Sequence, residues 1–180
     1  MDWLLDLGRT FLNKERVIQV SKVLLYLPII IFAFAVFVEH YRFIGQILQF
    51  IYDIGLAVLC LALMVVVYKH NYKIPLLGYY VIITVIKGVY LFFITSIGTE
   101  HGELYTLIFV FSIVLHTITG IQLLRTDFSV FGKAFLYYLG GIVLASALSD
   151  SIPNIPLSII QAMILVILIY PFYKELPKYY

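Results

Sequence analysis

Residues 75–97 read PLLGYYVIITVIKGVYLFFITSI. Apart from hydroxyl groups and one lysine the stretch is apolar. As an α-helix rising about 1.5 Å per residue it would reach roughly 34 Å, enough to cross a bilayer with some tilt. Lys87 sits close to its middle. A charge at that depth costs about 2.5–3.5 kcal/mol on insertion scales. Neighbouring segments must therefore offer the ammonium a partner or a route to water.

The rest of the chain has a matching composition. Of 180 residues, 63% are hydrophobic and 12% charged, with a mean hydropathy of +1.03. Soluble domains carry roughly one quarter charged residues. A polytopic membrane protein is expected, and its membrane domain leaves no room for a soluble catalytic domain. The net charge of +2 includes no basic cluster suited to nucleic acid. Cys60 is the single cysteine, which excludes an internal disulfide or a thiolate metal cluster. No N-x-S/T sequon occurs, and acidic residues stand where a signal peptide would be basic.

Two units are expected along the chain. Residues 1–22 form an amphipathic interfacial helix, with Trp3, Leu4, Leu7, Phe11 and Leu12 at helical spacing and charges on the other faces. Residues 23–180 form a six-span membrane domain, with spans near 23–38, 47–68, 75–97, 104–124, 134–149 and 157–173. The first is broken near its start by Pro28, and the fifth is short. The fold class is thus all-α, a polytopic helical bundle.

Charge bias orients this frame. With the N-terminus inside, the inner segments hold Arg9, Lys14, Arg16, Lys22, Lys69, Lys73, Arg125, Lys133, Lys174 and Lys178, and the outer loops hold Arg42. That satisfies the positive-inside rule with both termini cytoplasmic. A bacterial inner membrane fits the bias and the missing sequons. Tyr68, Tyr72, Tyr79, Tyr80, Tyr137, Tyr138, Tyr170, Tyr173, Tyr179 and Tyr180 gather at the inner ends, where an aromatic belt is the expected role for most. In the fifth span Gly141, Ala145 and Ser149 make a small-xxx-small series that lets helix backbones approach closely.

Three polar groups inside the spans are candidates for function. Lys87 shares a helix face with Tyr80 and Thr84. Asp53 lies about six residues, roughly 9 Å, below the outer end of the second span, against roughly 15 Å for Lys87. The two spans form a tight hairpin, so an Asp53–Lys87 ion pair is expected, the lysine stem covering the difference by snorkelling. It would fix packing, or line a proton or ligand path. In the fourth span His116 is near mid-depth with Ser112 and Thr119 on its face, placed to relay protons or to bond a neighbouring hydroxyl or carbonyl. No histidine pair has metal-ligand spacing, so no metal is expected. At the outer surface Glu39, His40, Glu100, His101, Glu103 and Asp150 form an acidic rim or ordinary solvated loops. No G-x-S-x-G elbow, H-E-x-x-H helix or P-loop is present, and six spans with a lysine on the third do not resemble a rhodopsin.

The C-terminal half resembles a known pattern. The stretch 138–151, YLGGIVLASALSDS, followed by IPLS at 155–158 and an apolar span, resembles the lysoplasmalogenase-like (YhhN) membrane family. GLAVL at 55–59 looks like that family's Gly-Leu span, and IKGVY at 86–90 like the start of its next span. The family usually has about eight spans and hydrolyses the vinyl-ether bond of lysoplasmalogens. The resemblance implies an acid that protonates the vinyl ether and an activated water. Ala62-Leu63 stand where the family has Gly-Asp, and Lys87 where it has histidine; Asp150 carries over.

Three functions follow as expectations. The first is a small non-catalytic integral membrane protein, a subunit or scaffold of a larger membrane assembly, partnered by lipids and other membrane subunits and needing no cofactor. The second is a divergent lysoplasmalogenase-type hydrolase using Asp150 with Asp53 or His116. The third is a small proton-coupled transporter built around Lys87, Asp53 and His116.

Overall fold

In a hydrocarbon setting each backbone N–H and C=O must bond within its own segment, so long apolar runs fold as helices. The computed structural model describes residues 2–37, 42–97, 103–148 and 154–180. Within them the chain forms seven α-helices: α1 (Asp2–Phe11), α2 (Lys14–Phe37), α3 (Arg42–Lys69), α4 (Pro75–Ile97), α5 (Glu103–Leu124), α6 (Ser129–Leu148) and α7 (Asn154–Lys174). A short 3-10 turn, Leu176–Lys178, follows, and no strand occurs among the described residues. Four helices are long and apolar enough to cross a membrane: α3 over Ile47–Lys69, α4 over Pro75–Phe93, α5 over Thr106–Leu124, and α6.

Helices α2 to α7 pack in chain order, each against the next, and α7 returns to α2, closing a ring. The tyrosine of α3 at Tyr52 reaches across this ring to donate to the Leu165 carbonyl of α7, at 3.3 Å. Of the four helices named, α3 is the most enclosed, and α1 docks on it. Leu4, Leu5 and Gly8 of α1 are buried. A side chain at position 8 would collide with Val65 and Leu61 of α3. Trp3, Leu7 and Phe11 point away from the bundle, Trp3 with 62% of its surface free.

Several boundaries differ from the sequence expectation. The 1–22 unit is two helices, because Asn13 breaks the run: its side-chain oxygen accepts from the Arg16 N–H and caps α2. Helix α2 then runs unbroken through Pro28 to Phe37. Bundle packing retains a helix around a proline, and Pro28 is buried against that packing. Helix α6 is not short. It begins at Ser129, after the Thr126 hydroxyl accepts from the Phe128 N–H, so Lys133 is a helical residue. A close backbone approach also lies earlier than the Gly141 series. A Cβ on Gly132 would lie 2.7 Å from the Gly120 carbonyl and the Leu124 nitrogen of α5, so only glycine fits this crossing. Gly141 meets the Ile164 side chain of α7, and Ala145 is buried; Ser149 lies outside the described residues.

One end of the bundle gathers the α3–α4 turn, the α5–α6 turn and the C-terminus. His70 and Tyr72 each meet the Phe128 ring edge-on. Phe128 also packs on Tyr179 and Phe131, and Phe131 on Phe172. The Tyr72 hydroxyl donates to Asp127 at 2.9 Å. That bond to a carboxylate raises the Tyr72 phenol above its ordinary range. At the last residue, burial pushes the Tyr180 phenol up to about 12. This is the termini end of the bundle.

Candidate functional site

The charged centre is built from the α3–α4 hairpin. Lys87 Nζ lies 2.9 Å from Asp53 Oδ1, with 15% of the lysine side chain and 1% of the aspartate exposed. Gln49, one turn before Asp53, donates to the same oxygen at 3.4 Å. Two features allow this approach. Gly88, next to the lysine, has no side chain, and a Cβ there would lie 3.0 Å from the Asp53 Cβ. In addition, the two charges sit level. Helix α3 starts at Arg42, so Asp53 is eleven residues along it, and Lys87 is ten residues from the end of α4 at Ile97. Gly88, one residue on from Lys87, lies against Asp53, so the ammonium meets the carboxylate at nearly the same height on the two helices. Toward the start of α3 and the end of α4, the Phe50 and Phe92 rings meet at 5.0 Å.

Among the described residues, the second oxygen of Asp53 is buried without a hydrogen-bond partner. A carboxylate so placed depends on Lys87 for its charge compensation. The pair is thus more costly to break than to make.

His116 forms a separate cluster on α5. Its Nε2 lies 2.8 Å from the Phe135 carbonyl of α6, and its Nδ1 lies 2.8 Å from the Tyr80 hydroxyl of α4. A carbonyl can only accept, so Nε2 carries the proton. Neutral Nδ1 then accepts from Tyr80. The Phe135 ring stacks on the imidazole at 4.4 Å, and the Tyr138 ring closes another side at 5.0 Å. Thr84 and Thr119, on the faces expected for Lys87 and His116, are buried. The Thr84 hydroxyl donates back to the Tyr80 carbonyl at 2.7 Å.

Both clusters border one cavity of about 30 Å³, lined by Tyr80, Lys87, Ser112, His116, Tyr138 and apolar neighbours. A water needs roughly 10–15 Å³ of such volume and two or more polar partners. The cavity suits one or two waters and is too small for a lipid headgroup. Among the described residues no group of three His, Cys, Asp or Glu is placed to hold a metal ion.

The structure therefore brings Asp53 and Lys87 together and puts His116 on the same cavity as Lys87. Asp150 lies outside the described residues, as do Glu39, His40, Glu100 and His101 of the expected rim. Tyr80 is corrected from belt residue to core: it is 3% exposed and bonded to His116. Its place on the Lys87–Thr84 face carried the signal. Tyr79, Tyr137 and Tyr170 are outward, as belt residues are. The Phe135 carbonyl had no sequence signal, because every residue offers one. Comparison with protein-family models, curated proteins and solved structures gave no match.

Proposed function

We propose that the chain is a small non-catalytic integral membrane protein that serves as a subunit or scaffold of a larger membrane assembly. Its helices α2 to α7 make six spans, α1 lies at the interface, and both termini are cytoplasmic in a bacterial inner membrane. Helices α2 and α7, of 24 and 21 residues, are long enough at roughly 36 and 32 Å and complete the ring with the four apolar spans. The basic residues from Lys14 to Lys178, Arg42 and Lys87 apart, belong to segments at the termini end.

The observation that carries the reading is that the titratable groups at mid-bundle are engaged with one another, with a hydroxyl or with the backbone. Asp53 is taken by Lys87, and His116 by Tyr80 and the Phe135 carbonyl. Such pairs fix helix packing, and the cavity between them has no room for a substrate. Membranes extracted into native-lipid nanodiscs test this by native mass spectrometry. A partner at fixed stoichiometry is expected. A chain that emerges alone at every extraction strength contradicts the reading.

One observation favours a second reading, a divergent lysoplasmalogenase-type hydrolase. Lys87 and His116 share a water-sized cavity, and Asp53 keeps one oxygen without a bond partner. On that reading Asp150 supplies the acid. Aldehyde release from lysoplasmalogen, abolished in Asp150→Asn, would establish it; no release from the native chain would dismiss it.

A further inference from the structure

Between α6 and α7, on the outside of the bundle, a groove of about 330 Å³ opens near the termini end. Its floor is Val130, Ala134, Val166 and Pro171, with Ile167 beside them. Two tyrosines, Tyr137 and Tyr170, form its walls. Lys133 lines the mouth. Lys174, the last residue of α7, sets its ammonium 5.5 Å from the centre of the Tyr170 ring, so a second cation stands over the same rim. Both lysines are exposed. The nearby acids are engaged elsewhere: Glu175 holds Lys178 at 2.6 Å, and Asp127 accepts from Tyr72.

We propose that this groove is a binding site for an anionic phospholipid, with the phosphate between the Lys133 and Lys174 ammonium groups and one acyl chain along the Ala134–Ile167 floor. The inference rests on the reading that α6 and α7 cross the bilayer with these lysines at the cytoplasmic face. Charge complementarity selects the occupant. An apolar channel meets two unneutralised cations at headgroup level, where anionic lipid is the abundant counter-ion. Tyrosine hydroxyls at that level can bond ester or phosphate oxygens while their rings line the chain. A zwitterionic lipid would fill the same floor but leave the cations uncompensated.

The test uses the full chain in mild detergent, with lipid retention read by native mass spectrometry. Phosphatidylglycerol and phosphatidylcholine with identical acyl chains are compared, and inorganic phosphate is tried alone. A preference for phosphatidylglycerol of about fivefold or more is expected. It should fall to parity in K133Q/K174Q and persist in K178Q. Ile167→Trp, which fills the floor, should lower retention of both lipids. Free phosphate should compete weakly, since it lacks the chain. Equal retention of the two lipids by the native chain, or a preference unchanged in K133Q/K174Q, would overturn the proposal. Phosphate binding as tight as lipid would show an anion site and overturn the lipid assignment. A lost preference with a stoichiometric partner still bound would refute this site alone; a lone chain that keeps its preference would refute the assembly reading alone.

Discussion

The termini end and the middle of the bundle are held by opposite strategies. At the termini end, His70, Tyr72, Phe128, Phe131, Phe172 and Tyr179 share many modest ring contacts. Each is worth about 0.5–1.5 kcal/mol beyond its burial, and the loss of one leaves the others. The middle depends on a few buried polar bonds: Lys87 to Asp53, and His116 to Tyr80 and Phe135. The difference teaches where the fold is brittle. Redundant apolar contact degrades gradually, whereas a lone buried charge fails at once when its partner goes.

The largest expected effect is at the ion pair. Lys87→Met should cost about 3–5 kcal/mol, because it leaves the Asp53 carboxylate buried with only the Gln49 amide, at 3.4 Å, to compensate its charge. Unfolding in nanodiscs, followed by denaturant or heat, measures it; a loss near zero would make the middle as tolerant as the end. Next comes His116→Leu, which leaves the Tyr80 hydroxyl and one acceptor of Phe135 unmet. About 1–3 kcal/mol should be lost in the same assay. At the termini end Phe128→Leu keeps most of the volume and should cost about 1 kcal/mol. A loss equal to that of Lys87→Met would erase the contrast.

The smallest effect is alkaline. The phenols of Tyr72 and Tyr180 are both raised in the fold, by the Asp127 bond and by burial respectively. A raised acid group favours folding fully below its unfolded value and loses that contribution as pH climbs. For Tyr180 the window runs from about 10 to about 12. The melting temperature should fall across it, and Y72F/Y180F should flatten that fall. An identical decline in both chains would show that neither phenol is responsible.

Much of the middle was legible in the sequence. One lysine in 23 apolar residues demands a partner, and Asp53 on the adjacent helix α3 of the hairpin is the nearest acid within the spans. The helical face of Tyr80, Thr84 and Lys87 was equally plain. What hydropathy could not give was the true start of α3. The lead-in 42–46 scores as loop, yet it continues the helix. Tyr80 satisfied two patterns at once, belt and core face, and the bond to His116 decides between them. The Gly132–Gly120 crossing was hidden because its two members are on different helices, and a spacing rule sees one helix at a time. Lys133 looked like a loop residue for the same reason that charges usually are, though its stem covers apolar surface at the mouth of the α6–α7 groove.

The most direct measurement is a double-mutant cycle on positions 53 and 87. Asp53→Asn, Lys87→Met and the combined chain are unfolded in nanodiscs under one set of conditions. Mutual dependence of the two groups predicts that the combined chain recovers about 2 kcal/mol or more relative to the sum of the single losses. Single losses that simply add would contradict it, because two groups that do not shelter each other inside the bundle have nothing to recover.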